Sequence, residues 1–265
     1  MIYNRKLIKD FAKSQRDHPN WPVLISEGDS WFSHSRVIDR LDDPLNRNPQ
    51  TQRDWCLLRL EKNGDEILTI LSGGQRAELR NFFKRWPLDA VLFSAGGNDV
   101  IGADLLPLLR LNPGGERAED FIHFPRFERR LRQIQDCYRE LLDLLVDAGQ
   151  SAKVFVNCYD YPVPSDRPVR LLGIRLAGPW LLPNLIEREV PKRFYGGVIK
   201  LLIDGFVAKM EALANEDAGR GRLVLVDTRG KVGQNWQDEI HPNFDGSTAV
   251  AKAFEAALVR ERIIR

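Results

Sequence analysis

Short apolar runs rich in β-branched residues alternate along the chain with longer stretches in which apolar residues recur every three or four positions. Five runs have the length and composition of buried strands: residues 22–26, 66–71, 90–94, 153–157 and 223–227. Amphipathic helices are predicted over residues 76–85, 127–148, 190–214 and 246–260. Strands that are apolar throughout are typical of parallel sheets covered by helices on both faces. The pattern therefore predicts an α/β protein, a three-layer α/β/α fold around a parallel five-stranded sheet.

The length and apolar content of the chain fit one large domain. Its 265 residues, 43% of them hydrophobic, are enough to bury a full core, so we expect a single domain over residues 1–265. Two connections, about residues 100–125 and 160–191, exceed the ~12–15 residues of a plain connector and are typical of lids or binding loops. The second contains the apolar stretch 178–183, which either roofs a pocket or simply packs onto the domain.

Charge and composition exclude several classes of partner. A net charge of only +2 gives no reason to expect a nucleic-acid partner. The charged N-terminal segment lacks the apolar core of a secretory signal, and no apolar run approaches the ~18 residues of a membrane span. The three cysteines show no paired spacing. We therefore expect a soluble, cytoplasmic protein without membrane insertion, and the sequence gives no indication of its oligomeric state.

Polar and glycine residues follow four of the predicted strands. In open α/β sheets, ligands bind just beyond the carboxyl ends of the strands, where loops and helix N-termini converge. The sequences at these positions are Glu27-Gly28-Asp29-Ser30-Trp31, Ser72-Gly73-Gly74-Gln75, Ala95-Gly96-Gly97-Asn98-Asp99 and Cys158-Tyr159-Asp160-Tyr161. They place candidate catalytic groups at the edge of the sheet where chemistry would need them.

Ser30 is the candidate nucleophile. A serine hydroxyl needs a base within hydrogen-bond reach and a third group that orients the base. Of the four histidines, His241 lies after the last predicted strand and just before the final helix. Asp238, three residues earlier, can accept a hydrogen bond from one ring nitrogen while the other nitrogen faces Ser30. The ordinary alternatives are a turn serine and a surface His–Asp pair.

A tetrahedral intermediate also needs hydrogen-bond donors for its oxyanion, and each well-placed donor is worth about 3 kcal/mol of the barrier. The candidates are the backbone N–H groups of Ser30 and Gly73 and the side-chain amide of Asn98. Each residue alone is also an ordinary turn residue. Their occurrence after three separate predicted strands favours an oxyanion hole.

The chain resembles the SGNH, or GDSL-like, hydrolase superfamily in four short blocks that occur in the family's order. The blocks are Gly28-Asp29-Ser30, Ser72-Gly73-Gly74, Gly96-Gly97-Asn98-Asp99 and Asp238-Glu239-Ile240-His241. This resemblance implies a flavodoxin-like fold, a nucleophile–base–acid triad of Ser30, His241 and Asp238, and oxyanion donors at Ser30, Gly73 and Asn98. The chain departs from better-known members, which carry a leucine after the serine, by having Trp31-Phe32.

The implied activity is ester hydrolysis through an acyl-enzyme, with a small-molecule, lipid or carbohydrate ester as substrate and no metal or organic cofactor. Trp31, Tyr159 and Trp180 are candidates to line the substrate pocket, although aromatic residues at such positions are as often core packing. We expect Asp29 and Asp99 to hold loops in place by accepting backbone hydrogen bonds rather than to act as acid or base.

Three alternatives stay open. The same site can pass the acyl group to another acceptor, as an acyltransferase does, or remove acetyl groups from carbohydrates. The chain can also be a binding protein on a hydrolase-like fold that has lost its activity. A metal-dependent hydrolase is disfavoured, because the sequence has no His-x-His or His-Glu-x-x-His spacing.

Overall fold

A parallel five-stranded sheet lies at the centre of the molecule. The computed structural model describes residues 5–35, 37–42, 55–171 and 174–264. The strands are β1 (Val23–Gly28), β2 (Cys56–Arg59), β3 (Ala90–Ser94), β4 (Lys153–Asn157), β5 (Val169–Leu171), β6 (Ile174–Ala177) and β7 (Leu223–Val226). The central sheet has the order β2-β1-β3-β4-β7 with parallel pairing throughout, and β5 and β6 form a separate antiparallel hairpin. The predicted parallel sheet is confirmed.

Helices cover both faces of this sheet. They are α1 (Arg5–Asp17), α2 (Ser30–Ser33), α3 (Val37–Asp42), α4 (Ile67–Ile70), α5 (Gly73–Arg85), α6 (Gly97–Ile101), α7 (Phe124–Asp147), α8 (Leu182–Glu187), α9 (Tyr195–Asn215) and α10 (Phe244–Arg260). One layer contains α5, α7 and α9, which pack side by side, and the other contains α3 packed against α10. The molecule therefore has the expected three-layer α/β/α architecture. None of the described helices is long and apolar enough to cross a membrane.

One predicted strand, residues 66–71, is wrong. The chain forms the single helical turn α4 there, because Ile67 and Ile70 are buried at a spacing of three residues while Leu68 between them is exposed. The missing strand is β2, a four-residue strand at the edge of the sheet whose alternate side chains are only partly buried. Gly73 consequently begins α5 after a helical turn and does not follow a strand.

The other predicted elements match the observed ones closely. The four remaining strands agree with the prediction to within two residues, and α5, α7 and α10 begin two or three residues before their predicted starts. Residues at helix starts such as Asn243, whose side chain caps α10, carry no apolar periodicity. The predicted helix 190–214 begins later, at Tyr195, because a short 3-10 turn, Lys192–Phe194, precedes it.

Both long connections carry structure of their own. Residues 100–125 contain two 3-10 turns, Ala103–Leu108 and Ala118–Phe121. Residues 160–191, called the 160–191 loop below, contain the β5–β6 hairpin and α8. The side chains of Leu181 and Leu185 are fully buried, so this part of the loop packs onto the body of the molecule.

Candidate active site

The candidate site lies where the order of the strands reverses, at the carboxyl ends of the neighbouring strands β1 and β3. Gly28 and Ser94, the last residues of these strands, are paired in register, so the segments that follow them leave the sheet at the same level. Ser30 comes two residues after β1, and Asn98 lies in α6 directly after β3. Reversal points of this kind are the usual ligand sites of open α/β sheets.

Ser30 is the first residue of α2, a single helical turn held at its start by Asp29. The Asp29 side chain accepts a hydrogen bond from the Trp31 N–H at 3.0 Å, and the Asp29 N–H donates to the Ser94 carbonyl at 2.8 Å. An N-cap of this kind fixes the first turn of a helix. Ser30 itself is 7% exposed, so its hydroxyl lies at the edge of the buried interior.

His241 and Asp238 form a hydrogen-bonded chain with Ser30. The Nε2 atom of His241 lies 2.8 Å from the Ser30 Oγ, and its Nδ1 atom lies 2.9 and 2.8 Å from the two carboxylate oxygens of Asp238. Burial raises the pKa of Asp238, but its hydrogen bonds from His241 and from the backbone N–H groups of Ile240 and His241 outweigh burial and leave the pKa below its ordinary value. An ionised Asp238 therefore faces the imidazole.

A second histidine, His34, packs against this chain. Its ring lies 4.7 Å from the ring of His241, edge to face. Among the described residues, the ligand atoms of His34, Asp238 and His241 all lie within 4.8 Å of one another, so this set could hold a metal ion. Two imidazoles and a carboxylate suit zinc. In the structure, however, Asp238 is hydrogen-bonded to His241, and His241 is hydrogen-bonded to Ser30.

Buried polar and aromatic groups contact Asp29 and Trp31, the two neighbours of Ser30 in the chain. The hydroxyl of Tyr159 donates to the Asp29 carboxylate at 2.7 Å, and the hydroxyl of Ser94 donates to it at 3.0 Å. Burial raises the pKa of Asp29 to about 6, although its hydrogen bonds act in the other direction. Tyr159 is only 1% exposed, and Trp31 is buried between Tyr159 and Trp236. Trp31 and Tyr159, both predicted to line the substrate pocket, are thus buried with their rings packed against each other.

The proposed oxyanion donors lie on segments that are tied together. The Asn98 side-chain amide donates to the Asp65 carbonyl at 3.1 Å, and the Ile67 N–H donates to the Asp99 carboxylate at 3.1 Å. These two bonds hold the segment that leads into Gly73 against α6. Gly73 has a positive φ of 48° at the start of α5, a conformation that favours glycine.

The third predicted pocket aromatic, Trp180, lies beside the candidate base. Its ring centroid is 5.4 Å from that of His241, with an interplanar angle of 87°. The 160–191 loop that carries it is bound to Glu239, a fully buried acid that the sequence reasoning missed. The only signal in the sequence was an acid between Asp238 and His241.

Comparisons with known proteins define the fold. No family model matches the sequence, and no curated protein matches it. A protein from Slackia heliotrinireducens assigned to the SGNH hydrolases is similar in structure, with a TM-score of 0.52 and 13% identity over 90% of this chain and 100% of that one. An extracellular lipase from Streptomyces rimosus has a TM-score of 0.51 and 16% identity over 89% of this chain and 99% of that one. The chain thus has the SGNH hydrolase fold that its four blocks implied.

Proposed function

We propose that this protein is a serine ester hydrolase in which Ser30 is the nucleophile, His241 the base and Asp238 the acid that orients it. The observation that carries the proposal is the hydrogen-bonded chain from the Ser30 Oγ through His241 to Asp238, with 2.8 Å at the serine and at the nearer carboxylate oxygen. Triads are recognised by this geometry and not by chain order. The fold adds support, because the two similar structures named above are a hydrolase and a lipase.

The first half-reaction forms an acyl-enzyme. The Ser30 Oγ attacks the carbonyl carbon of the ester while His241 accepts the hydroxyl proton at Nε2, and the carbonyl π electrons move onto oxygen. We expect the N–H groups of Ser30 and Gly73 and the Asn98 amide to bind this oxyanion. When the carbonyl re-forms, the bond to the alcohol breaks, and His241 returns its proton to the leaving oxygen.

The second half-reaction releases the acid. Water takes the place of the alcohol, gives a proton to His241 and attacks the acyl carbon, and collapse of the second intermediate returns the proton to Ser30. In both halves His241 is transiently an imidazolium. The negative charge of Asp238, whose pKa is held below its ordinary value, stabilises that cation and fixes the ring orientation.

Hydrolysis of p-nitrophenyl acetate, butyrate and octanoate at neutral pH with EDTA present tests this function. Ser30→Ala is expected to lose a factor of about 10⁴–10⁶ in rate, the usual cost of removing a triad nucleophile. Ser33→Ala, on the same helical turn, is the matched control. It removes hydrogen bonds to the Asp29 backbone carbonyl and the Asn63 side chain, worth about 1 kcal/mol each. Even if both were lost from the barrier, the rate should stay within about thirtyfold of the wild type.

Two results contradict the proposal. If Ser30→Ala hydrolyses these esters as fast as the wild type, the serine mechanism is wrong. If EDTA abolishes the activity of the wild type and zinc restores it, the reaction depends on a metal ion. The candidate ligands of that ion are His34, Asp238 and His241.

A further inference from the structure

Glu239 binds the 160–191 loop to the loop that carries the candidate base. Its carboxylate accepts backbone hydrogen bonds from the N–H groups of Ser165 at 3.1 Å, Leu181 at 2.7 Å and Leu182 at 2.8 Å, and a short one from Trp180. Its own N–H donates to the Arg167 carbonyl at 3.1 Å. The side chain is completely buried, so solvent offers these donors no substitute for it.

Four N–H donors point at the two oxygens of this buried carboxyl group, two at each oxygen, so both oxygens act as acceptors. Hydrogen bonds to a carboxylate are about twice as strong as neutral ones, and an isosteric amide would turn an NH₂ group toward N–H donors. Replacing Glu239 by glutamine therefore leaves buried N–H groups without acceptors, which is costly. The two acceptor oxygens of Glu239, and not the volume of its side chain, therefore hold the 160–191 loop.

The same bonds fix the position of Trp180. Glu239 holds its N–H, and the Asn184 side-chain amide donates to its carbonyl at 2.6 Å. The indole ring also lies over Gly178, where an added Cβ would come within 2.5 Å of ring atoms. Held in this way, the indole packs against the imidazole of His241, with 5.4 Å between the ring centroids.

The chemistry of the proposed reaction places the leaving alcohol next to this indole. His241 must deliver its proton to the leaving oxygen, so that oxygen has to lie within hydrogen-bond reach of Nε2. The remainder of the alcohol then lies beside the imidazole, which has two neighbouring rings, His34 at 4.7 Å and Trp180 at 5.4 Å between centroids. Of these two rings, the indole offers the larger apolar surface. An indole surface binds rings that present an apolar face.

We propose that Trp180 forms one wall of the leaving-alcohol subsite and that Glu239 is the positioning residue that fixes it there. The inference rests on the proposed ester hydrolase function and narrows it. The preferred substrates are esters of alcohols that carry a ring with an apolar face, either an aromatic ring or a sugar.

Amide hydrogen exchange tests the positioning role without reference to activity. In Glu239→Gln, the amides of residues 180–182 are expected to exchange about tenfold faster or more, because their acceptor is lost. Glu187→Gln is the matched control, since Glu187 is an exposed acid on the adjacent α8 and its replacement should leave these amides unchanged. Equal exchange in the wild type and Glu239→Gln overturns the positioning role.

Kinetics with acetate esters of primary alcohols tests the subsite. We compare kcat/KM for ethyl, cyclohexylmethyl and benzyl acetate and 6-O-acetylglucose, because the acyl group is constant and the leaving alcohols have similar acidity. Trp180→Ala and Glu239→Gln should both lower the preference for the ring-bearing esters over ethyl acetate by about two- to tenfold. The acetate-to-butyrate ratio for p-nitrophenyl esters should stay constant. A larger loss for benzyl acetate than for 6-O-acetylglucose identifies the alcohol as aromatic, and the reverse identifies it as a sugar. Cyclohexylmethyl acetate measures the contribution of an apolar ring face alone.

The two proposals fail in different ways. Wild-type protein that a fluorophosphonate does not label at Ser30 overturns the proposed function. If the wild type is labelled and active, but Trp180→Ala has the same alcohol preference as the wild type, the subsite alone is overturned. Trp180→Ala keeps every backbone bond to Glu239, so this comparison remains available even when Glu239→Gln does not fold.

Discussion

At the scale of single residues, the buried acids around Ser30 accept backbone hydrogen bonds. Asp29 caps α2 through the Trp31 N–H, and Asp99 accepts the Ile67 N–H ahead of Gly73. Both carry raised pKa values, about 6 and about 7, chiefly because burial disfavours their charged forms. Both acids thus accept backbone hydrogen bonds from the segments next to Ser30 and Gly73, as the sequence led us to expect.

The raised pKa of Asp99 predicts a pH-dependent stability. The value is about 7 in the folded protein against an ordinary value of 3.8, so between these pH values the folded state keeps a proton that the unfolded state releases. The stabilisation from this proton is complete below pH 3.8 and is lost as the pH rises through 7. Asn at this position keeps an oxygen for the Ile67 N–H but does not titrate.

Urea unfolding of the wild type and Asp99→Asn at pH 4.5, 6 and 8 measures this effect. The free energy of unfolding of the wild type, relative to that of the variant, should fall by about 2–4 kcal/mol across the series. Parallel pH profiles for the two proteins would show that Asp99 is ionised in the folded state throughout.

At the scale of elements, the close approach of β1 to β3 positions Ser30. Gly28, the last residue of β1, has a φ of 148°, and a Cβ there would lie 2.2 Å from the Ser94 carbonyl oxygen. No side chain fits between the two strands at this level. The turn that carries Ser30 therefore depends on glycine at the end of β1.

Gly28→Ala is expected to destabilise the protein severely, by more than about 3 kcal/mol, because both the backbone angle and the contact with β3 forbid a Cβ. Gly64→Ala is the control. Gly64 also has a positive φ, 75°, but its Cβ would meet nothing within 4 Å, so its replacement should cost about 1 kcal/mol. Chemical unfolding of both variants checks the difference, and equal losses would contradict the steric explanation.

The apolar pattern of the sequence identifies the strands that are buried on both faces, such as β3 and β4, because their consecutive residues 90–93 and 154–156 are all apolar. It fails at the edge of the sheet. β2 is short and half-buried, so it gives a weak signal, whereas the β-branched residues of α4 imitate a strand although their burial follows helical spacing. Edge strands and single helical turns are defined by what packs on them, which local sequence does not contain.

The residues of the candidate site also differ in whether local sequence is enough to locate them. Ser30 and Asn98 could be located because they follow β1 and β3, and Asp238 because it precedes His241 by three residues. The role of Glu239 could not be predicted, since its partners lie 57 to 74 residues away on a loop whose path depends on tertiary packing.

At the scale of the whole molecule, the fold joins groups that are far apart in the chain and encloses them. Ser30 and His241 are separated by 211 residues, yet their side chains are 2.8 Å apart. His241 is 3% exposed, and the 160–191 loop lies against it through Trp180. The end of strand β1 thus carries Ser30, and the 160–191 loop supplies part of the surroundings of His241.

The most direct test of the triad is labelling with a fluorophosphonate, followed by mass spectrometry of the peptides. We predict a single adduct on Ser30 of the wild type, no adduct in Ser30→Ala, and labelling of His241→Ala that is slower by a factor of about 10⁴ or more, because the serine loses its base. Wild-type protein that remains unlabelled, or His241→Ala that is labelled as fast as the wild type, would contradict the triad.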